Sequence, residues 1–128
     1  MNRMPEFIIF TGPMFGAKTS RLLSAIDRFS YQNRRVVSFK PKIDRRYSDS
    51  EITTHNGHSV EAISVKTGDD IHRIVNDRSS EIDVIAVDEA FMIDGCAESL
   101  VSLFRSGKTI VVSSLQLSAA GNVFTEIR

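Results

Sequence analysis

Phe7 to Thr19 reads FIIFTGPMFGAKT, and this stretch decides the fold. Its first four residues form a short apolar run that is typical of a buried strand, and Thr11-Gly12 ends that run. From Lys18 to about Asn33, apolar residues recur at helical spacing while polar ones fall on the other side. The residues of this apolar face are Leu22, Leu23, Ile26 and Phe29. The stretch therefore predicts a strand, a glycine-bearing loop and an amphipathic helix in succession.

The loop between this strand and this helix, GPMFGAKT, is predicted to bind phosphate groups. Backbone amides at the start of a helix can cradle phosphate oxygens, Lys18 can reach the β- and γ-phosphates, and the Thr19 hydroxyl can meet magnesium. The predicted phosphate-binding residues are Gly12, Pro13, Met14, Phe15, Gly16, Ala17, Lys18 and Thr19. A glycine-bearing turn that happens to precede a lysine is the alternative interpretation.

The loop departs from the pattern GxxxxGK[ST] at one position, because Ala17 stands where the second glycine belongs. A Cβ opposes close approach of the backbone to a phosphate, and it costs about 1–2 kcal/mol where a left-handed conformation is required. The alanine is therefore expected to weaken nucleotide binding by roughly tenfold or more without necessarily abolishing it.

The rest of the chain alternates short apolar runs with helical patterns, which is typical of a parallel sheet covered by helices. Further strands are predicted at Val36–Phe39, Val84–Val87 and Thr109–Val112, and further helices over Asp69–Arg78 and after Asp94. Asp94 itself is expected to cap the last helix, because an aspartate side chain can accept a hydrogen bond from the helix's first turn.

Two segments interrupt this alternation. Asn56-Gly57 is a strong hairpin signal between the runs Ile52–His55 and His58–Ile63, whereas Ser113–Arg128 shows little periodicity and is predicted as a loop.

At 128 residues the chain fits one domain. We therefore expect a single α/β domain over residues 1–128, in which a mainly parallel sheet is flanked by helices and carries a small β-hairpin excursion.

Two acids follow the predicted strand Val84–Val87, namely Asp88 and Glu89. A buried strand that ends in an acid has the form of a Walker B strand, which brings a carboxylate to a nucleotide. Asp88 would hold the metal, and Glu89 would accept a proton from an attacking hydroxyl or orient a water. The alternative is that both acids simply favour the start of the next helix.

The overall composition excludes several classes of protein. Lys plus Arg and Asp plus Glu both number sixteen, so we expect neither general nucleic-acid binding nor binding to a membrane surface. The single cysteine, Cys96, excludes an intramolecular disulfide and a four-cysteine zinc site. Met1–Phe7 is too polar and short for a signal sequence, and no apolar run approaches the roughly 20 residues that span a bilayer. A cytoplasmic protein is therefore expected.

Five motifs of this chain, in order, resemble those of the thymidine kinase family of the zinc-bearing, cellular and poxviral type. GPMFGAKT is similar to that family's GPMFSGKS or GPMFSGKT, and the unusual Pro13-Met14-Phe15 makes this likeness more specific than a generic phosphate loop. The other resemblances are Phe39–Tyr47 to KPxxDxRY, Thr54–Gly57 to SHxG, Val87–Phe91 to VDEAQF and Leu115–Phe124 to GLDxDFxGxPF.

The resemblance implies a RecA-like P-loop NTPase core that uses ATP and magnesium. It further implies an ATP-dependent kinase that moves the γ-phosphoryl group to the 5′-hydroxyl of a deoxynucleoside such as thymidine, in DNA precursor synthesis. By the same analogy, Glu89 corresponds to the catalytic base and Asp88 to the metal-side acid. Asp44 and Arg46 correspond to the pair that supports metal and phosphates. Thr19, Asp88 and Asp44 are then the expected metal-side residues, and Arg46 joins the phosphate-binding set.

A basic run in the chain also finds an interpretation in this resemblance. The run consists of Arg34, Arg35, Lys40, Lys42, Arg45 and Arg46, with Asp44 as its acid. Since the total charge is balanced, a solvated or phosphate-facing role is favoured over a nucleic-acid patch.

Several positions depart from the family's pattern. Phe91 replaces the usual glutamine, and in the late motif Gln116 and Ser118 stand where the family has acids and Ala119 where it has an aromatic residue. The family's cysteine pairs are absent up to Arg128, so no zinc is expected in this chain. Two alternatives to a kinase stay open: a degenerate relative that binds nucleotide or a partner without catalysis, and a P-loop ATPase acting on a non-nucleoside target. A homo-oligomer also stays open.

Overall fold

The computed structural model describes residues 4–12, 18–42, 51–53 and 59–115. Within them, the strands are β1 (Phe7–Gly12), β2 (Val36–Pro41), β3 (Glu51–Thr53), β4 (Ser59–Glu61), β5 (Ile63–Val65), β6 (Val84–Val87) and β7 (Thr109–Leu115). The helices are α1 (Lys18–Tyr31), α2 (Gly68–Asp77) and α3 (Cys96–Arg105), with short 3₁₀ helices at Ser79–Glu81 and Ala90–Met92. This succession confirms the predicted α/β class.

The main sheet joins five strands in the order β1-β7-β6-β2-β5, and every neighbouring pair is parallel. Strand β7 lies between β1, which precedes the predicted phosphate loop, and β6, which precedes the two acids. Because parallel strands all end at the same edge, the ends of β1, β7 and β6 are neighbours. Ligands of open α/β sheets bind at this carboxyl edge.

Helices cover both faces of the sheet, as its buried strands require. Ala86 of β6 belongs to the same buried cluster as Leu22 of α1, whereas its neighbours Ile85 and Val87 belong to the cluster of Leu100 in α3. This alternation is the two-residue period of a strand that is buried on both sides. None of the helices in the described ranges is both long and apolar enough to cross a bilayer.

Helix α1 ends at Tyr31, and two residues later Asn33 has a φ of 62°, which places it in the left-handed region. The N–H of Arg34 then donates back to the Phe29 carbonyl at 3.1 Å. The guanidinium of Arg34 lies over the Phe29 ring, 4.8 Å from its centroid, and its Nη2 donates to the Thr109 hydroxyl at 2.9 Å. That hydroxyl also accepts the N–H of Glu6 at 3.2 Å. One side chain thus joins the end of α1 to the start of β7, at the amino edge of the sheet.

Helix α2 begins with a capping box. The N–H of Asp70 donates to the Thr67 hydroxyl, and the N–H of Thr67 donates to the Asp70 carboxylate, both at 3.3 Å. The next residue, Gly68, donates its N–H to the Asp94 carbonyl at 2.7 Å, and Thr67 and Asp94 form a parallel bridge. The prediction that Asp94 caps α3 is wrong, because this bridge holds Asp94 against α2. Gly95, with φ of 72°, takes the capping position instead.

Replacement of Gly68 by alanine is expected to lower the free energy of unfolding by about 1–3 kcal/mol, the usual cost of overpacking. A Cβ on Gly68 would lie 2.6 Å from the Ser99 hydroxyl oxygen and would also collide with the Gly95 carbonyl. The measurement is urea unfolding of Gly68→Ala and of Asp69→Ala, an exposed position in the same helical turn. Equal free energies of unfolding for the two variants would contradict this prediction, because they would show that α2 and α3 can accommodate the added methyl group without loss of stability.

Two further boundaries differ from the sequence prediction. Strand β7 continues through Ser113 and Ser114 to Leu115, because β1 pairs with it as far as Gly12 and Leu115. Ile63, predicted as part of the hairpin, belongs to β5 and pairs with Phe39 of β2 in the main sheet. The hairpin strands β3 and β4 do pair antiparallel, which confirms the excursion. Its predicted turn, Asn56-Gly57, lies outside the described residues.

The single cysteine of the chain, Cys96, is buried at the start of α3. Burial raises the pKa of its thiol to about 12. The thiol therefore stays protonated near neutral pH and packs as a small apolar group.

Candidate functional site

Residues from three elements meet at the carboxyl edge of the sheet. Lys18 and Thr19 open α1, Asp88 and Glu89 follow β6, and Ser113 lies near the end of β7. The parallel pairing of β6 with β7 and the packing of α1 on these strands bring the three groups together. We call this set the carboxyl-edge site.

Asp88 is a buried side chain of the carboxyl-edge site, with 8% of its surface exposed. Its Oδ1 accepts hydrogen bonds from the hydroxyls of Thr19, at 3.1 Å, and Ser113, at 2.5 Å. Its backbone N–H donates to the Phe39 carbonyl at 2.9 Å. The bond to Thr19 joins the first turn of α1 to the end of β6, so two motifs that are 69 residues apart in sequence touch each other.

Lys18 is the first residue of α1 and is only 7% exposed. A buried ammonium group is costly unless negative charge lies nearby. The charge of Lys18 acts on Glu89, where it opposes the other influences on that carboxyl group. The first turn of α1 therefore places positive charge beside the acids that follow β6.

Glu89 has an unusual backbone, with φ of 50° and ψ of 49°. A residue other than glycine pays an energetic cost in this left-handed conformation, and such conformations cluster at functional sites. The N–H of Glu89 donates to the Ser113 hydroxyl at 3.1 Å, and its carbonyl accepts the N–H of Met92 at 3.0 Å. The chain thus changes direction at Glu89, between β6 and the 3₁₀ helix at Ala90–Met92.

The pKa of the Glu89 carboxyl is raised above its ordinary value. Burial is the largest cause, the negative charge of Asp88 adds to it, and the positive charges of Lys18 and Lys40 act in the opposite direction. A carboxylate with a raised pKa binds a proton more readily, which is what a general base requires.

The oxygen atoms of Thr19 and Asp88 fit a hard divalent cation such as Mg²⁺, which favours oxygen ligands. Over the part of the chain that is described, no three His, Cys, Asp or Glu side chains converge as a metal site. Mg²⁺ is usually held by one or two carboxylates together with water and phosphate oxygens. The donor set at Asp88 is of this kind.

The structure describes some of the predicted site residues and not others. It brings Lys18, Thr19, Asp88 and Glu89 together, and it places Gly12 at the end of β1, next to β7. The predicted residues Pro13, Met14, Phe15, Gly16, Ala17, Asp44 and Arg46 lie outside the described residues, as do the late-motif positions Gln116, Ser118 and Ala119. Phe91 is half-buried in the 3₁₀ helix that follows Glu89.

The basic run does not form one surface within the described residues. Arg35 precedes β2 and pairs with Asp83 at 3.4 Å, at the amino edge of the sheet. Lys40 lies near the other end of β2, where its charge reaches Glu89. The phosphate-facing interpretation therefore fits Lys40 and does not fit Arg34 or Arg35.

Sequence reasoning missed Ser113, the residue that contacts both acids. The signal that identified Asp88, a polar residue directly after a buried strand, also applies to Ser113, which follows Thr109–Val112. Lys40 was recognised as part of the basic run, yet its effect on Glu89 depends on the pairing of β2 with β6.

Known proteins resemble nearly the whole chain. The family model of thymidine kinase matches residues 6–128. A thymidine kinase of Mycoplasma capricolum is 32% identical over 129 residues, which cover 98% of this chain and 62% of that protein. One of Pyrobaculum aerophilum is 34% identical over 119 residues, with coverages of 91% and 63%. One of Bacteroides thetaiotaomicron is 32% identical over 117 residues, with coverages of 91% and 57%.

These matches cover far more of this chain than of its relatives. The chain spans about three fifths of the length of the curated relatives it matches. The family model covers the strands, the helices and the carboxyl-edge site described above. On this extent of similarity, the chain belongs to the thymidine kinase family.

Proposed function

We propose that residues 1–128 form one nucleotide-binding domain of an ATP-dependent kinase that transfers the γ-phosphoryl group of ATP to the 5′-hydroxyl of a deoxynucleoside such as thymidine. The observation that carries this proposal is the contact of Thr19 with Asp88, which places the start of α1 against the acids after β6. A nucleotide's phosphates and a proton acceptor are needed at one place for this reaction. The names of the three relatives support the choice of acceptor.

The first turn of α1 supplies the phosphate-binding groups in this proposal. Lys18 neutralises charge on the β- and γ-phosphates, and the amides of the loop from Gly12 to Thr19 hold their oxygens. Thr19 and Asp88 would hold Mg²⁺, with Asp44 and Arg46 as the supporting pair that the family resemblance implies. When bound, the cation would neutralise charge on the phosphate oxygens.

Glu89 acts as the general base on the acceptor side. It takes the proton of the 5′-hydroxyl while that oxygen forms a bond to the γ-phosphorus. The bond between the γ-phosphorus and the bridging oxygen of ADP breaks, and ADP leaves with the electron pair. The raised pKa of Glu89 favours proton uptake, while the positive charges of Lys18 and Lys40 act in the opposite direction on that pKa.

The direct test is phosphoryl transfer from labelled ATP to a panel of deoxynucleosides and ribonucleosides. We expect a labelled 5′-monophosphate with thymidine or another deoxynucleoside. Steady hydrolysis of ATP without an acceptor would instead identify an ATPase. A folded sample that binds ATP and labels none of the acceptors would reject the kinase proposal.

The pH dependence of transfer is expected to respond to Lys40. The positive charge of Lys40 lowers the pKa of Glu89, so Lys40→Met should raise it further. Because the base must be ionised, the rate should then fall at a higher pH on acidification than it does in the unmodified chain. Profiles of kcat between pH 4 and pH 8 measure this, with the exposed Lys66→Met as control. An unmoved acid limb in Lys40→Met would contradict the coupling.

A further inference from the structure

Ser113 is fully buried, and within the described residues its hydroxyl makes two hydrogen bonds, both to the acidic pair. Its hydroxyl donates to Asp88 Oδ1 at 2.5 Å and accepts the backbone N–H of Glu89 at 3.1 Å. A serine hydroxyl has one proton to donate and lone pairs to accept, so one atom serves both neighbours. Ser113 therefore connects the side chain of one acid to the backbone of the next.

The register of the sheet explains why Ser113 reaches both residues. Val87 of β6 pairs with Val112 of β7, so the residue after each of them comes next at the carboxyl edge. Side chains alternate along a strand, and Val111 belongs to the cluster that contains α1. Ser113 lies two residues further on the same strand and faces the same side, where Asp88 meets Thr19.

We propose that Ser113 is a positioning residue that fixes Glu89 and Asp88 relative to each other, and its effect on catalysis rests on the function proposed above. Glu89 has a left-handed backbone conformation, which is energetically unfavourable for a residue other than glycine. The bond from its N–H to Ser113 stabilises that backbone and so decides where the carboxylate points. Without the hydroxyl, the Glu89 amide loses its acceptor and the residue can turn toward an ordinary conformation.

The neighbouring Ser114 offers a matched control. It lies on the same strand, is 2% exposed, and its hydroxyl has no hydrogen-bond partner in the part of the chain that is described. Ser113→Ala and Ser114→Ala therefore remove the same atom at equal depth, one with two partners and one without. An effect that is seen in Ser113→Ala and not in Ser114→Ala is therefore due to the loss of the Ser113 hydrogen bonds and not to the loss of a buried oxygen atom.

The first readout does not depend on any reaction. Amide hydrogen exchange of Glu89, followed by NMR, should be about tenfold faster in Ser113→Ala than in the unmodified chain, because the amide has lost its acceptor. Exchange at Val87 and Val112 should stay slow in both variants, which shows that the strands are intact. Unchanged exchange of the Glu89 amide in Ser113→Ala would overturn the inference.

The second readout separates positioning from binding. In Ser113→Ala, we expect kcat for phosphoryl transfer to fall by about 10- to 100-fold, while the KM for ATP changes far less, because a misplaced base slows the reaction and leaves substrate binding in place. Ser114→Ala should keep its kcat. Equal kcat values in the two variants would also overturn the inference. An unmodified chain without transfer activity would reject the proposed function, and the exchange experiment would then decide the inference alone.

Discussion

Glu89→Gln is expected to lower kcat for phosphoryl transfer by about 100- to 10,000-fold and to leave ATP binding intact. Glutamine has nearly the same shape as glutamate, yet its amide cannot take up the proton of the attacking hydroxyl. In the proposed arrangement the phosphates are bound from α1 and not from Glu89, so calorimetry with ATP and magnesium should give a similar Kd for variant and parent. The two measurements together separate loss of the base from loss of the substrate.

The same substitution is expected to raise the thermal midpoint at neutral pH. Because the pKa of Glu89 is raised in the folded state, folding favours its protonated form. Its contribution to stability is present below the ordinary glutamate pKa and is lost as the pH rises through the raised value. Glutamine removes the charge, so the gain should appear at pH 7 and shrink in acid.

Glu81→Gln serves as the control for both measurements, since Glu81 is exposed at the 3₁₀ helix before β6. It should change neither kcat nor the midpoint appreciably. Full activity in Glu89→Gln would remove Glu89 from the proposed role of base. A lower midpoint at pH 7 would mean that the carboxylate stabilises the fold, contrary to the direction of its pKa.

Lys18→Met is expected to weaken ATP binding by about 10- to 100-fold, because a charge-assisted bond to phosphate contributes roughly 1.5–3 kcal/mol. Methionine keeps most of the apolar stem that is buried at the start of α1. The fold should therefore survive while the charge is lost. Calorimetry measures the binding, and circular dichroism of the same sample checks that α1 and the sheet persist.

Lys66→Met is the matched control, since Lys66 is exposed beyond the end of β5. Its Kd for ATP should stay within about twofold of the parent's, as expected for a surface substitution. If Lys18→Met binds ATP as tightly as the control, the start of α1 does not hold the phosphates. The proposal for this edge of the sheet would then have to be abandoned.

Most of the fold could be predicted from local sequence patterns. The run FIIF, the helical face of α1 and the apolar segment before Asp88 all mark elements that the structure contains. The end of β7 could not be predicted, because Ser113 and Ser114 are strand residues only through the pairing with β1. The start of α3 escaped for a similar reason, since the backbone of Asp94 bonds to Gly68 in another helix.

Some residues of the candidate site could likewise be predicted from local sequence, and others could not. Lys18 and Asp88 follow from motifs that can be read within a few residues of sequence. The left-handed turn at Glu89 is accompanied by a hydrogen bond to Ser113, which is 24 residues away in sequence. Local propensity therefore could not predict this turn or this bond. The effect of Lys40 on Glu89 likewise needs the strand order, which places β2 beside β6.

The contacts of Arg34 at the amino edge of the sheet have a consequence for stability at high temperature. Arg34 holds Phe29 and Thr109 together there, at the opposite ends of the strands from Asp88 and Glu89. A weaker cross-link at this position would loosen the molecule on warming while its chemistry at low temperature stayed as before. Heat-sensitive variants of the protein should therefore be sought at Arg34, where a lower thermal midpoint with unchanged activity at low temperature would report folding alone.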